Sequence, residues 1–219
     1  MSKLQIIIAS TRPGRAADQI ATWVIDRARS HGGFDVEVLD LRDWPLPMFA
    51  EDPGTMGDLN DPTYSTPIVG KWNRKIKEAD AYLVITPEYN HSVPGVLKNA
   101  IDSVFLSFAF RNKPVVAVGY SVGIGGGIRA IEHLAQIAVE AEMVPLRNAV
   151  VIPEVARAFD SHGEPVNPIT ETALGVALDD LKWWSGALEA ARGKGQLPHA
   201  VFRISAAAAA VDEVEDEAV

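Results

Sequence analysis

A short polar loop near the start of the sequence has the residue types of an anion-binding site. Ser10, Arg12 and Arg15 follow the apolar run Leu4–Ala9 and precede a helical pattern. A turn at a helix N-terminus presents free N–H groups and the positive end of the helix dipole, and guanidinium groups bind phosphate through paired hydrogen bonds. We therefore expect a phosphate site in this loop. A solvated basic turn is the alternative interpretation.

A second polar loop, Pro87–Asn90 followed by His91, also lies between a predicted strand and a predicted helix. The preceding run Ala81–Thr86 is apolar without alternation, as in a parallel strand that is buried on both faces. Apolar residues then recur at helical spacing from Val96 to Phe105. Ligands of open parallel sheets bind beyond the carboxyl ends of the strands, so this loop is predicted at the binding edge. The alternative is a turn whose residues serve only local geometry.

A third loop is rich in glycine. Ser121, Gly123 and Gly125 follow the apolar run Pro114–Tyr120, and residues 123–127 include four glycines. Glycine lets the backbone approach a planar ligand closely and offers N–H donors without side-chain bulk. A glycine-rich turn alone is weak evidence, but this turn follows the next parallel strand after the Pro87–Asn90 loop.

Together the three loops resemble those of the NAD(P)H-dependent FMN reductases, a flavodoxin-like family that includes quinone, azo-dye and chromate reductases. The family pattern of a small residue, Ser, any residue and Arg falls on residues 9–12, and Thr-Pro-Glu-Tyr-Asn occupies residues 86–90. The resemblance covers residues 4 to about 192. The sequence departs from the family at Ala9, which is often Gly, and at residues 16–19, where Ser and Asn are common.

The resemblance implies FMN as the cofactor and NADPH or NADH as the electron donor. Ser10, Arg12 and Arg15 would hold the phosphate. The ring would be framed by residues of the second and third loops: Pro87, Glu88, Tyr89, Asn90, Ser121, Gly123 and Gly125. His91 is a candidate substrate contact, although an exposed loop histidine is the more general interpretation. The backbone of Glu88 is expected to matter more than its carboxylate, because the redox chemistry is the cofactor's own.

The implied activity is that of an oxidoreductase with two half-reactions. NAD(P)H passes a hydride to the flavin N5 and leaves, and a small-molecule acceptor then takes the electrons: quinone, free flavin, azo dye or metal oxyanion. The family also implies a homodimer or a tetramer. A flavodoxin-type electron carrier ranks second, because carrier phosphate loops are usually rich in Ser, Thr and Gly rather than Arg. A flavin-binding sensor without its own turnover is the third hypothesis.

Other functional classes have little support in the sequence. The first loop lacks both the Gly-Lys-Ser/Thr of a P-loop and Gly-x-Gly-x-x-Gly. The five histidines show no metal-ligand spacing and the sequence has no cysteine, so no metal site is predicted. A net charge of −9 without a basic stripe argues against nucleic-acid binding. No apolar run approaches the ~18 residues of a membrane span, and a cytoplasmic location is expected.

The elements that would position these loops form an α/β pattern. It predicts a flavodoxin-like, doubly wound sheet of five parallel strands in the order 2-1-3-4-5, with helices on both faces. The fifth strand is expected over residues 147–153. Residues 1–198 are predicted to form the FMN-binding domain, and residues 199–219 an Ala-rich acidic tail. The segment 42–65 exceeds the usual loop limit of ~12–15 residues. It either covers the flavin of a neighbouring subunit, as in the family, or is an ordered surface loop.

Overall fold

A parallel β-sheet forms the centre of the protein. The computed structural model describes residues 1–58, 61–195 and 198–217. The strands are β1 (Ser2–Ile8), β2 (Phe34–Asp40), β3 (Ala81–Pro87), β4 (Pro114–Tyr120), β5 (Val144–Pro145) and β6 (Val150–Ile152). They are parallel and follow the order β2-β1-β3-β4-β5, with β6 also paired to β4. The predicted flavodoxin-like topology is confirmed.

Helices cover both faces of the sheet. In chain order the helices of the described residues are α1 (Ala17–His31), α2 (Pro53–Met56), α3 (Pro67–Lys77), α4 (Gly95–Phe105), α5 (Ile128–Glu140), α6 (Pro168–Gly193) and, outside the unit that contains the sheet, α7 (Ala200–Glu217). One apolar core contains Trp72 of α3, Leu97 of α4 and Leu134 of α5. The other contains residues of α1 and the first half of α6. Because β3 and β4 lie between these two cores, their sequences are apolar without alternation. β1 is continuously apolar only over residues 6–8, and its buried Gln5 donates a hydrogen bond to the carbonyl of Lys75.

The fifth position of the sheet differs in detail from the sequence prediction. One strand is predicted over residues 147–153, whereas the structure has two short segments, β5 and β6. β5 pairs with the start of β4 at Pro114 and Val115, and β6 pairs with its end at Val118–Tyr120. The fifth strand is therefore interrupted, and β6 brings the segment after Ile152 to the binding edge.

The long segment after β2 is attached to the body of the protein by side chains. Trp44 packs against Trp72 with ring centroids 4.9 Å apart. The Asn99 side chain on α4 donates to the carbonyl of Pro47 and accepts from the N–H of Phe49, at 2.9 and 2.8 Å. Part of this segment, residues 59–60, lies outside the described residues.

The chain divides into two compact units, residues 1–188 and 189–219. The second contains the last turns of α6 and the whole of α7, so the described part of the Ala-rich tail is helical. Within the described residues, no helix combines the length and the apolar character needed to span a bilayer.

Candidate functional site

Three loops meet at the carboxyl edge of the sheet and line a single cleft of about 350 Å³. They are the segments that follow β1, β3 and β4, and a fourth contribution comes from the short 3₁₀ turn Val155–Arg157 after β6. The lining residues are Ser10, Arg12, Pro13, Gly14, Arg15, Ala16, Pro87, Glu88, Tyr89, Tyr120, Ser121, Val122, Val155 and Ala156.

Strand register explains why these loops coincide. Ile8 pairs with Ile85, and Pro87 pairs with Tyr120, so the strands end at nearly the same level. The ladder continues into the loops, because the N–H of Glu88 donates to the carbonyl of Tyr120 at 3.0 Å. The floor of the cleft is therefore an extension of the sheet.

The first loop places one exposed guanidinium beside a tyrosine ring. Arg12 is exposed, and its guanidinium carbon lies 5.7 Å from the centroid of the Tyr89 ring. The hydroxyl groups of Ser10 and Tyr89 are 2.9 Å apart. Tyr120 also contacts Ser10; burial raises the pKa of Tyr120 to about 12, although the hydrogen bond with Ser10 acts in the opposite direction. The Tyr120 hydroxyl is therefore a neutral hydrogen-bonding group at physiological pH.

Arg15 has a different environment from Arg12. Its side chain is 2% exposed, and its guanidinium donates to the carbonyl of Ser10 and to the carboxylates of Asp18 and Asp40. Burial alone would lower the pKa of Arg15, but the hydrogen bonds with Asp40 and Asp18 outweigh it and raise the pKa. The guanidinium predicted to hold a phosphate is thus engaged within the protein, where it joins the loop to the end of β2.

Asp40 is the carboxylate at the centre of this network. Arg15 and Arg42 both donate to it, and Arg42 also donates to Asp18 at 3.0 Å. Burial alone would raise the pKa of Asp40, but the hydrogen bonds from Arg15 and Arg42 lower it to about 2. The carboxylate is therefore ionised at neutral pH and holds the first loop to β2.

The second loop contains a tight turn. The N–H groups of Tyr89 and Ser92 donate to each other's carbonyls at 2.9 and 3.1 Å, and the intervening Asn90 and His91 have φ angles of 48° and 72°. Positive φ at both central residues is typical of a type I′ turn, in which asparagine is favoured. Local geometry is thus sufficient to explain the residue type at Asn90.

Glu88 forms an ion pair with an arginine that the sequence analysis did not identify. Its Oε1 lies 2.7 Å from Nη2 of Arg129, which is in the first turn of α5. The other arm of the same guanidinium, Nη1, is 3.2 Å from Nδ1 of His91. Arginine only donates, so this histidine nitrogen accepts. His133 lies beside the cluster, with its ring centroid 6.0 Å from that of His91.

The glycines of the third loop have two different roles. A Cβ on Gly127, where φ is +87°, would lie 2.3 Å from the backbone nitrogen of Tyr120, and one on Gly126 would lie 2.4 Å from the Val151 side chain. These two glycines allow the loop to pack on β4 and β6. A Cβ on Gly123 would have no atom within 4 Å, and a Cβ on Gly125 would contact only the Arg129 side chain.

Six of the predicted site residues therefore line the cleft. A seventh, Arg15, also lines it, but its guanidinium is paired with Asp18 and Asp40. The six are Ser10, Arg12, Pro87, Glu88, Tyr89 and Ser121. Asn90, His91, Gly123 and Gly125 belong to the same loops but not to the described wall of the cleft. In the described part of the chain, no group of three or more His, Cys, Asp or Glu residues is arranged to hold a metal ion.

Sequence reasoning missed Asp40, Tyr120 and Arg129. A signal existed for the first two, since each is the last residue of a strand that ends at the binding edge. No local pattern indicates Arg129, because its partner Glu88 lies on another loop, far away in sequence.

Comparison with known proteins identifies the family. The sequence profile of the NADPH-dependent FMN reductases matches residues 2–157. The chain belongs to this family. It is an oxidoreductase that uses FMN and takes electrons from a reduced nicotinamide.

Individual relatives agree with the assignment. An NAD(P)H-dependent FMN reductase of Schizosaccharomyces pombe is 34% identical over 153 residues, which are 69% of this chain and 74% of the relative. A 2-hydroxy-1,4-benzoquinone reductase of Burkholderia sp. is 28% identical over 83% of this chain and 95% of its own. The flavoenzyme NAD(P)H:acceptor oxidoreductase FerB of Paracoccus denitrificans has the same fold, with a TM-score of 0.67, 23% identity, and coverage of 85% of this chain and 98% of FerB.

The Asp40 network leads to a stability prediction for the reductase. Asp40→Asn is expected to lower the free energy of unfolding by roughly 2 kcal/mol at pH 7, because the pKa of Asp40 falls from 3.8 to about 2 on folding. A lowered carboxylate pKa contributes stability that is fully present above about pH 4 and is lost as the pH falls through 2.

Urea unfolding at pH 7 and at pH 3 measures this difference, which should be smaller at pH 3. Asp43→Asn, an exposed carboxylate in the following 3₁₀ turn, is the matched control and should have little effect. If the difference in free energy of unfolding between wild type and Asp40→Asn were the same at both pH values, the ion-pair explanation would be contradicted.

Proposed function

We propose that the cleft between the loops after β1, β3 and β4 holds FMN, with the phosphate at residues 10–16 and the ring against residues 87–89 and 121–122. The observation that carries this proposal is the convergence of three loops with different chemistry on one cleft of about 350 Å³. In this arrangement one end of the cleft is cationic and the other is formed by backbone and aromatic surface.

The phosphate end suits a dianion. Arg12 is exposed there, and the N-cap of α1, Ala16, has no side-chain hydrogen bond to the first turn of the helix. Because Ala16 lines the cleft together with Arg12, the start of α1 and the positive end of its dipole adjoin the proposed phosphate site. Ser10 adds a hydroxyl. We assign Arg15 an indirect role, in which its ion pairs with Asp18 and Asp40 fix the loop.

The ring end combines a rigid edge with a small loop. Pro87, Glu88, Tyr89 and Ser121 would contact the ring. In this proposal Asn90, Gly123 and Gly125 shape the two loops that contact the ring. His91 lies at the rim of the cleft, where it would contact a substrate.

The acceptor is proposed to be a quinone. When bound, FMN supplies the hydride chemistry, and the protein orients the two substrates in turn. Val122 lines the cleft and is 81% exposed, and Ile124 of the same loop is 89% exposed, which favours a flat apolar acceptor over a strongly charged one. The Burkholderia relative, named for a benzoquinone, supports the same class.

We also propose that the reductase is a homo-oligomer, a dimer or a tetramer, and that it acts in the cytoplasm, where reduced nicotinamides are available. A groove of about 360 Å³ between α4 and α5 supports the oligomer, since Ile101, Phe105 and Ile137 contribute apolar surface to it. Surface of this kind is typical of subunit contacts.

The function is tested by the colour of the protein. Reconstituted protein should show flavin absorption that NADPH or NADH bleaches without oxygen and that a benzoquinone restores. Bleaching by dithionite but not by either nicotinamide would indicate an electron carrier instead. Protein that remains colourless after incubation with FMN would refute the proposal.

The phosphate assignment predicts a ligand-specific effect of Arg12. Arg12→Ala should weaken FMN binding by about 1.5–3 kcal/mol, as expected for hydrogen bonds to charged groups, and leave riboflavin binding nearly unchanged. Quenching of flavin fluorescence measures both constants. Arg29→Ala, which removes an exposed charge from the far end of α1, is the control. If Arg12→Ala left the ratio of the dissociation constants for FMN and riboflavin unchanged, this arginine would be excluded as the phosphate ligand.

The oligomer is tested by light scattering after gel filtration. Wild type should elute as a dimer or tetramer. Phe105→Asp should dissociate it, because the substitution removes the apolar ring and adds a carboxylate to a groove that Asp102 and Glu140 already line. A monomeric wild type at micromolar concentration would contradict the proposal.

A further inference from the structure

One buried carboxylate oxygen of the cleft lacks a hydrogen-bond donor. The side chain of Glu88 is 7% exposed, and its Oε1 is paired with Arg129. Its Oε2 is also buried, and no described residue donates to it. A buried charged oxygen without a donor is unfavourable, so a donor is expected from a bound molecule.

The backbone of Glu88 is already engaged. Its N–H donates to the carbonyl of Tyr120, which holds the residue to the end of β4. This differs from the expectation that the backbone of Glu88 serves the ligand. The carboxylate is the group of this cleft-lining residue that still lacks a donor.

Arg129 determines which carboxylate oxygen of Glu88 remains without a donor. Its guanidinium is a planar group with donors in fixed directions. One arm contacts Oε1 of Glu88 and the other contacts Nδ1 of His91, and both contacts together limit rotation of the guanidinium. Oε1 is therefore committed to Arg129, and Oε2 remains as an acceptor.

We assign the missing donor to a ligand in the cleft. Because Glu88 lies at the proposed ring end, the donor is expected on the flavin ring rather than among the ribityl hydroxyls. The oxidised isoalloxazine ring of FMN has a single N–H group, the imide N–H between its two carbonyls. The carboxamide of a nicotinamide is another source of N–H donors. FMN is the ligand proposed to reside in the cleft, whereas the nicotinamide is a transient substrate, so the imide is the better match.

We propose that Oε2 of Glu88 accepts a hydrogen bond from the imide N–H of the flavin ring, and that Arg129 is the positioning residue that holds the carboxylate for this contact. The inference rests on the proposed residence of FMN in this cleft. With this hydrogen bond, Glu88 would favour binding of rings that have an imide N–H.

The test compares FMN with 3-methyl-FMN, in which a methyl group replaces the imide hydrogen. Both are titrated into flavin-free protein without any nicotinamide, and fluorescence quenching gives the dissociation constants. Wild type should bind 3-methyl-FMN about 10- to 100-fold more weakly, the factor expected for the loss of a hydrogen bond to a charged group. This comparison requires no variant, so it does not depend on a mutant that folds.

Variants separate the hydrogen bond from the bulk of the methyl group. Glu88→Gln keeps the shape of the side chain, so a purely steric effect would persist, whereas we expect the preference for FMN to fall to less than about fivefold. Arg129→Met should reduce the preference as well, and Arg129→Lys should restore part of it by pairing again with Glu88. The control is Lys3→Ala, which breaks a partly exposed ion pair with Glu78 at the opposite end of β1 and should leave the ratio of the two dissociation constants unchanged.

Two results would overturn the inference. The first is equal binding of FMN and 3-methyl-FMN by wild type, combined with a raised KM for NADH in Glu88→Gln; this would assign the free oxygen to the nicotinamide carboxamide. The second is an unchanged ratio of the dissociation constants for FMN and 3-methyl-FMN in Glu88→Gln. This result would show that the methyl group weakens binding only by its size. Both leave the proposed function intact if FMN binds and is reduced, whereas failure of wild type to bind FMN would refute the function itself.

Discussion

The site depends on the parallel pairing of β1, β3 and β4. Ile8 is opposite Ile85, and Pro87 is opposite Tyr120, so three strands end together and their loops meet. Both faces of these strands are buried against helices, and a shift in register would therefore disrupt two cores at once. Such a sheet is a rigid support on which the loops are free to differ in chemistry.

Two ion pairs between residues distant in sequence then fix the loops. Arg15 joins the first loop to Asp40 at the end of β2, and Arg129 joins the second loop to α5 through Glu88. The side chain of Arg15 is 2% exposed, so loss of Asp40 would leave a buried charge uncompensated, and this pair strongly disfavours other positions of the first loop. In the second pair Glu88 is 7% exposed but Arg129 is 43% exposed, so solvent screens that pair and its contribution is smaller. A preformed cleft is the result, and a ligand that enters a preformed site loses less binding free energy to ordering of the loops.

The loops that line the cleft were predictable because their signals are local. A polar turn between an apolar run and a helical pattern marks the end of a parallel strand, and Ser10, Arg12, Pro87–Tyr89 and Ser121 all line the cleft as this argument requires. Arg15 shows the limit of the argument. Two arginines three positions apart look alike in sequence, but Arg12 is exposed and Arg15 is 2% exposed among carboxylates, because only Arg15 faces the end of β2.

The sequence by itself determined the strand order and which loops lie at the carboxyl edge of the sheet, since apolar periodicity and turn composition are properties of short segments. It also indicated the family, through the resemblance of three short loops to those of the FMN reductases. The tertiary structure alone decided the partners of charged groups. Arg129 acquires its role only when the β3–α4 and β4–α5 loops are folded next to each other, and Gly127 is required because the backbone of Tyr120 passes within 2.3 Å of where its Cβ would be. Such contacts depend on distances between segments, which no local pattern in the chain encodes.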